Sequence, residues 1–243
     1  MSTKRIAMWS GPRNLSTALM RSFASREDCS VVDEPFYAAY LYATRIEHPL
    51  RNIILSSYNT DPLDVAESCC KGTVQTKIQY QKHMTHHMLD SFDRSFVHNI
   101  SNAFLIRSPE KVVKSFGKKI LDFALKDLGY VQQLDLFKMI CDKSGYSPPV
   151  VDADDLCANP AAILAELCSK LGIRYSRKML HWKKGKHSYD GVWGAYWYSA
   201  VNNSTGFSLP KDNYDPISEF QRNLINKAIP YFSLLNEHKI KID

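Results

Sequence analysis

The sequence predicts an α/β fold in which a central parallel sheet is flanked by helices on both faces. Short apolar runs recur along the chain, each bounded by polar or turn residues. Segments whose apolar residues stand three or four positions apart lie between these runs. The 243 residues are 44% hydrophobic and 23% charged, which is typical of a globular protein with a sizeable core. Because buried strands alternate with amphipathic helices, we expect the sheet to be parallel.

The spacing of apolar residues assigns the individual elements. The predicted strands are Arg5–Trp9, Ser30–Val32, Val74–Tyr80, Ala103–Ile106 and Val150–Val151. Helical spacing extends over Leu15–Phe23, Val112–Leu128 and Ile163–Leu171. Pro109 and Pro160 mark two helix starts, because proline is favoured in the first helical turn. No internal repeat and no linker-like stretch divides the chain, so residues 1–243 are expected to form a single domain.

Net charge and cysteine content narrow the class of protein. Lys and Arg number 31 against 25 Asp and Glu, and the net charge of +6 suits an anionic ligand. A strongly basic arm for nucleic acid is absent, so no nucleic-acid partner is expected. The six cysteines form no CxxC pair, which favours reduced thiols and a cytoplasmic protein. No apolar stretch is long enough for a signal peptide or a membrane span, so neither secretion nor a membrane partner is expected.

The first predicted strand runs directly into the loop Ser10–Thr17 and then into an amphipathic helix. A strand, a tight loop and a helix N-terminus together present unpaired N–H groups and a partial positive charge, which favour phosphate or sulfate. Arg13, Ser16 and Thr17 add side-chain donors. A Walker A loop needs Gly-Lys before its Ser or Thr, and Leu15-Ser16 stands there, so ATP with magnesium is disfavoured. The alternative from the loop alone is an ordinary turn with a Ser or Thr cap.

A second candidate anion site pairs Arg107 with Ser115. Arg107 leaves the end of the strand Ala103–Ile106, and Ser115 follows eight residues later, about two turns into the next helix. Both side chains are therefore expected to face one bound anion at the carboxyl edge of the sheet. The alternative is that Arg107 is an ordinary ion-pair partner.

The two motifs together resemble the sulfotransferases that use 3′-phosphoadenosine-5′-phosphosulfate (PAPS), in particular the small sulfotransferase-like proteins of microbes and plants. That family carries a Pro-Lys/Arg-Ser-Gly-Ser/Thr-Thr loop and an Arg-x7-Ser pair, and here Asn14-Leu15 replaces Ser-Gly. The resemblance implies a three-layer P-loop-type fold, PAPS as donor, PAP as product and no metal. It implies that Arg107 and Ser115 bind the 3′-phosphate, with Lys184-Gly185 beside them. The 5′-phosphosulfate would be bound by Gly11, Pro12, Arg13, Asn14, Leu15, Ser16 and Thr17.

The same resemblance implies the catalytic residues. Glu34, which follows the second predicted strand, matches a general base in the tyrosylprotein branch of the family; its alternative is a carboxylate favoured by a helix N-terminus. Lys82 and His83 resemble the Lys-Thr-His segment of cytosolic members and form the second candidate pair, with plain surface histidines as the alternative. Zinc at His83 and His87 is disfavoured, because no further ligand stands nearby. Arg13 would stabilise charge on the leaving phosphate.

The function implied is sulfuryl transfer from PAPS to a hydroxyl or an amine of a small-molecule acceptor. A P-loop kinase and a non-catalytic nucleotide-binding module are the alternatives. The sequence identifies neither the acceptor nor the oligomeric state. The acceptor pocket is expected from the segments Tyr37–Tyr58 and Lys183–Phe207. Their aromatic residues would wall that pocket, stack an adenine or pack in the core; they are Trp193, Tyr196, Trp197 and Tyr198.

Overall fold

The computed structural model describes residues 3–209 and 216–242. Its sheet has five strands in the order β2-β3-β1-β4-β5, and every neighbouring pair is parallel. The strands are β1 Lys4–Ser10, β2 Cys29–Asp33, β3 Ile78–Met84, β4 Ser101–Ile106 and β5 Val150–Asp152. The predicted α/β fold with a parallel sheet is therefore confirmed.

Helices cover both faces of this sheet. They are α1 Ser16–Ala24, α2 Tyr37–Thr44, α3 Arg51–Ser57, α4 Pro62–Cys70, α5 Pro109–Gly117, α6 Tyr130–Ser144, α7 Ala153–Ala158, α8 Pro160–Lys170, α9 Gly194–Trp197, α10 Ser199–Asn202 and α11 Glu219–Asn236. Alternate residues of β1 point to opposite faces: Ile6 packs in one buried cluster with α1 and α8, and Trp9 packs in another with α6. Among the described residues, no helix is both long and apolar enough to cross a bilayer.

The order of the strands locates a crevice at the carboxyl end of β1. The chain passes from β1 to the edge strand β2, returns to β3 beside β1, and then crosses to β4 on the other side. The direction of winding therefore changes at β1, and ligands of open α/β sheets bind at such a point. The loop that follows β1 stands at this edge.

β3 begins and ends four residues later than the predicted strand Val74–Tyr80. Its second half carries polar side chains that are buried, which hides the strand from a hydrophobicity pattern. Gln81, for example, donates from Nε2 to the carbonyl oxygen of Cys69 at 2.7 Å. As a result, Lys82 and His83 lie inside a strand and point to opposite faces, whereas the sequence placed both after it.

The predicted helix Val112–Leu128 is also shorter than expected. α5 ends at Gly117, and Leu125–Leu128 forms a separate 3₁₀ turn before Gly129, whose φ of +74° starts α6. The segment 118–129 folds back so that the Leu128 carbonyl lies against the loop after β1. The helices that were not predicted are α2, α3, α4, α6, α7, α9, α10 and α11.

Candidate active site

The loop after β1 curls through two residues with left-handed backbone conformations. Arg13 and Leu15 both have a φ of 64°. α1 starts at Ser16 without a side-chain cap, and the Leu19 N–H donates to the Leu15 carbonyl at 3.1 Å. The N–H groups of the first turn therefore have no acceptor within the helix, and the helix dipole gives this end a partial positive charge. The loop is consequently suited to bind an anion.

Hydrogen bonds and one close backbone contact fix the shape of the loop. Asn14 is buried and donates from Nδ2 to the carbonyl oxygen of Leu105 at 3.1 Å. Gln133 on α6 donates from Nε2 to that carbonyl and to the carbonyl of Trp9, each at 3.0 Å. A Cβ atom on Gly11 would stand 2.4 Å from the Leu128 carbonyl oxygen, so only glycine fits there. These contacts tie the loop to the ends of β1 and β4.

Two arginines meet above this loop. Arg107 donates from Nη1 to the backbone carbonyl of Arg13 at 2.9 Å, and Arg13 donates from Nε to Oγ of Ser115 at 2.9 Å. Burial and the neighbouring charge of Arg107 lower the pKa of Arg13. Arg13 forms no ion pair with a carboxylate in residues 3–209 or 216–242, and buried Nε of Arg107 has no hydrogen-bond partner there. Asp154 lies 3.9 Å from that Nε. Two cations this close together attract a multiply charged anion.

A cavity of about 680 Å³ connects these cations with an aromatic chamber. Such a volume is in the range that holds a nucleotide or a drug-sized ligand. Arg13, Ser16, Thr17, Arg107 and Ser115 line one part of it. The remaining wall includes Tyr37, Tyr40, His86, His87 and Trp197.

A buried ionic cluster forms part of the cavity wall through Glu34, Lys82 and Tyr198. Nζ of Lys82 donates to Glu34, to Asp33 Oδ1 at 2.9 Å and to the Tyr198 hydroxyl at 2.7 Å. Tyr198 in turn donates to both carboxylate oxygens of Asp33, at 2.9 and 2.8 Å. Asp33 Oδ2 also accepts the N–H of Gly191 at 3.0 Å. Asp33 is thus saturated with donors, while Glu34 has spare acceptor capacity and lines the cavity.

Burial and charge set the protonation of this cluster. Burial raises the pKa of Glu34, although the charge of Lys82 opposes that shift. Burial alone would lower the pKa of Lys82, but the charges and hydrogen bonds of Asp33 and Glu34 outweigh it and raise that pKa. Burial, with the charges of both carboxylates, raises the pKa of Tyr198 well above its ordinary value. Lys82 therefore stays charged, Tyr198 stays neutral, and Glu34 is the group able to take a proton.

Comparison with known proteins assigns the family. The model of a sulfotransferase domain family matches residues 4–238. The chain belongs to the sulfotransferase family. It is 36% identical over 235 residues to branched-chain-amino-acid aminotransferase-like protein 1 of Arabidopsis thaliana, covering 96% of this chain and 42% of the relative. The chain thus spans about two fifths of that relative's length.

Solved sulfotransferases share the fold of this sulfotransferase domain. A sulfotransferase from Alicyclobacillus acidocaldarius superposes with a TM-score of 0.56 at 9% identity, over 99% of this chain and 98% of the other. Mouse sulfotransferase SULT7A1, solved in complex with PAP, gives a TM-score of 0.50 at 9% identity, over 98% of this chain and 90% of the other. At such low identity the likeness concerns the fold alone.

Most of the predicted site residues of this member of the family meet at the cavity. The predicted residues that line it are Pro12, Arg13, Leu15, Ser16, Thr17, Glu34, Lys82, Arg107 and Ser115. Gly11 and Asn14 do not line it, but their contacts hold the loop in shape. Lys184 and Gly185 are not among the lining residues. The Gly185 N–H donates to the Asn202 carbonyl at 2.8 Å, and Lys184 is exposed. Their role in phosphate binding stays a prediction without support from this placement.

His83, the second candidate base, is not among the residues that line the cavity. Its ring centroid is 4.3 Å from that of Trp9, and Nε2 is 3.0 Å from Oε1 of Gln81. Burial lowers the pKa of His83 to about 3, so the imidazole is neutral in the core. The alternative of a surface histidine also does not describe it, because His83 is only 1% exposed.

Sequence reasoning missed several residues that shape this site. Asp33 was not predicted as a site residue, and Gln133 lies in α6, a helix that was not predicted. Tyr198, for which the sequence left a pocket wall, an adenine stack or core packing open, is buried in a hydrophobic cluster, and its hydroxyl completes the ionic cluster. His87 was considered only as a zinc ligand, and His86 was not assigned a role. In the part of the chain that the structure describes, no cluster of three or more His, Cys, Asp or Glu is arranged to hold a metal ion.

Proposed function

We propose that this protein transfers a sulfuryl group from PAPS to a hydroxyl or an amine of a small-molecule acceptor. The observation that carries the proposal is that one cavity is lined by Arg13 and Arg107, which are linked through the Arg13 backbone carbonyl, and also by the buried carboxylate of Glu34. The cationic end suits a bisphosphate, and the carboxylate suits a base that must reach an incoming nucleophile.

The polar groups around the cavity fit this donor. The first turn of α1, with Ser16 and Thr17, would hold the 5′-phosphosulfate. Arg107 and Ser115 would hold the 3′-phosphate, and the buried Nε of Arg107 that has no described hydrogen-bond partner is a donor available for it. The 3′-phosphate is the group that distinguishes PAPS from ATP. Arg13, fixed by Ser115, stands between the two groups of donors.

The residues of this chain then have distinct tasks. When bound, PAPS supplies an activated sulfuryl group, which moves to the acceptor atom as its bond to the bridging phosphate oxygen breaks. Arg13 stabilises the negative charge that the phosphate oxygen gains. Glu34 takes the proton that the acceptor loses. Lys82, held by Asp33 and Tyr198, keeps Glu34 in place and ionised before that transfer. Positioning and charge stabilisation supply most of the rate, as in phosphoryl transfer.

We propose further that residues 1–243 act as one domain in a reducing compartment such as the cytoplasm. All six cysteines are free thiols, which supports this location.

Binding of nucleotides by titration calorimetry tests the proposal. PAP is expected to bind without magnesium at least about ten-fold more tightly than 5′-AMP, because Arg107 and Ser115 add charge-assisted hydrogen bonds to the 3′-phosphate. Arg107→Ala should remove this preference, while Arg177→Ala, at an exposed arginine, should preserve it. Tighter binding of ATP with magnesium would instead favour a kinase. Tight PAP binding without transfer of labelled sulfate to any acceptor library would favour a binding module.

A further inference from the structure

Two histidines at the aromatic end of the cavity stand out by their packing. His87 is 1% exposed and its ring stacks between Tyr37 and Tyr40, with centroid distances of 4.4 and 4.8 Å. His86 is half-buried, and its ring meets the edge of Tyr40 at 5.5 Å and of His87 at 4.3 Å. Both imidazoles line the cavity. The apolar packing therefore fixes two polar rings in its wall.

These imidazoles lack hydrogen bonds. Nδ1 of His86 and Nδ1 of His87 are both buried without a partner, and neither ring makes a hydrogen bond to any other described residue. The third imidazole of the wall behaves differently, since His48 contacts the Tyr37 hydroxyl from Nε2 and the Pro49 carbonyl from Nδ1, each at 2.8 Å. Nε2 of each ring is also unpaired among the described residues and is not enclosed, so it is the ring nitrogen that a ligand in the cavity can reach. Two neighbouring unpaired imidazoles in a cavity wall therefore indicate a ligand with a hydrogen-bonding group that faces them.

The electrostatics of this end define which ligand fits. Burial lowers the pKa of His86 to about 3 and that of His87 well below its ordinary value, so both rings are neutral. A neutral imidazole offers one donor and one acceptor. The buried charge nearby, on Lys82, is already compensated by Asp33 and Glu34. The other charged side chains of this wall are exposed or half-buried; they are Glu47, Asp122, Lys126 and Asp127. A charged group placed against the two rings would therefore lose its hydration without gaining a buried counter-ion.

We propose that His86 and His87 form the acceptor-binding subsite and that the acceptor is an uncharged hydroxyl compound carrying a second, neutral hydrogen-bonding group that these rings bind. This inference rests on the proposed function and chooses between the hydroxyl and the amine acceptors named there. An aliphatic amine is protonated near neutral pH and has no lone pair for attack. A hydroxyl needs only one acceptor for its proton, and Glu34 provides it.

Binding of para-substituted phenols to the protein saturated with PAP tests the subsite without requiring turnover. para-Hydroxyacetophenone carries a neutral polar tail, para-methylphenol an apolar one, para-hydroxybenzoate an anionic one and tyramine a cationic one. The neutral polar phenol is expected to bind about three- to ten-fold more tightly than para-methylphenol, and at least about ten-fold more tightly than the two charged phenols. Preference for a charged tail, or no binding of any of the four phenols, would overturn the proposal.

Variants of His87 assign the effect to the subsite. His87→Phe keeps the stack between Tyr37 and Tyr40 but removes the hydrogen bonds, so the preference for para-hydroxyacetophenone over para-methylphenol should disappear. His87→Gln should restore part of it, and His98→Phe, at an exposed histidine, should leave it unchanged. The affinity for PAP should stay unchanged in all three. If PAP fails to bind the unaltered protein, the proposed function fails; if PAP binds and His87→Phe keeps the preference, the subsite proposal alone fails.

Discussion

Nε of Arg13 donates to Oγ of Ser115 at 2.9 Å, across 102 positions of sequence. This hydrogen bond joins the loop after β1 to the second turn of α5. It thereby couples the two groups of donors that the proposal assigns to opposite ends of one nucleotide. A change at Ser115 is expected to disturb both.

Ser115→Ala should weaken PAP binding by about ten- to 100-fold, the usual effect of losing one hydrogen bond to a charged group. The variant loses a donor for the 3′-phosphate and the hydrogen bond that orients Arg13. Titration calorimetry measures the change, and Ser56→Ala, at an exposed serine of α3, is the control. Unchanged affinity in Ser115→Ala would exclude the assigned role.

Gly11→Ala should lower the free energy of unfolding by about 1–3 kcal/mol, since the added Cβ meets the Leu128 carbonyl at 2.4 Å and backbone must move. Thermal unfolding followed by circular dichroism gives the change. In Gly117→Ala, the new Cβ meets the flexible end of Gln221 at 3.1 Å and the Phe123 ring at an ordinary contact distance of 3.6 Å, and the same measurement should show little or no loss. Equal stability of Gly11→Ala and the unaltered protein would contradict the close approach.

Glu34→Gln should reduce kcat by about 100-fold or more, because an amide cannot accept the proton of the acceptor. His83→Gln should retain most of the activity, since His83 packs against Trp9 outside the cavity. Steady-state transfer assays with labelled PAPS distinguish the two. The opposite order of losses would make His83 the base. In both variants PAP should bind as it does to the unaltered protein.

The pH dependence of kcat should follow Glu34. Transfer needs the ionised carboxylate, so activity is present above the pKa of Glu34 and is lost as pH falls through it. Because burial raises that pKa, the loss should begin at higher pH than for an ordinary glutamate. Tyr198→Phe removes a hydroxyl that lowers the pKa of Glu34 and should move the loss to still higher pH. Tyr196→Phe, at a neighbouring tyrosine, should leave the profile where it was.

Lys82→Met should destabilise the fold by about 3–5 kcal/mol, because two buried carboxylates, Asp33 and Glu34, lose their counter-ion. The loss should be smaller at low pH, where Glu34, whose pKa is raised by burial, takes up a proton. Urea denaturation at two pH values measures it. The double variant Lys82→Met with Glu34→Gln should recover part of the stability, and no recovery would mean that charge is not the cause.

The part of the site that sequence could predict is the part encoded locally. The loop after β1 and the pair Arg107 and Ser115 each lie within one short segment, where strand end, proline and helix spacing fix the geometry. The structure brings these segments together as expected. The sequence placed β3 four residues too early, because its second half contains Gln81, Lys82 and His83. These are buried polar residues that hydrogen-bond to one another or to distant partners and leave no hydrophobic pattern.

The sequence could not predict the arrangement at the aromatic end of the cavity, because the contacts there join segments that are far apart in the chain. Tyr198 and Asp33 are 165 positions apart, and nothing in either segment alone indicates the hydrogen bond between them. Burial likewise lowers the pKa of His87 well below its ordinary value, and the rings of Tyr37 and Tyr40, which pack on it from α2, come from a distant segment. The residues were visible in the sequence, but their partners were not.

The loop after β1 curls at Arg13 and Leu15, which both adopt the left-handed backbone conformation. This conformation costs about 1 kcal/mol more for a residue with a side chain than for glycine. The free energy of folding offsets this cost, so the binding free energy of an anion does not have to. A search for phosphate-binding loops that demands glycines at these two positions would pass over this chain. Bulky residues at both positions in a relative are therefore compatible with the same anion-binding geometry.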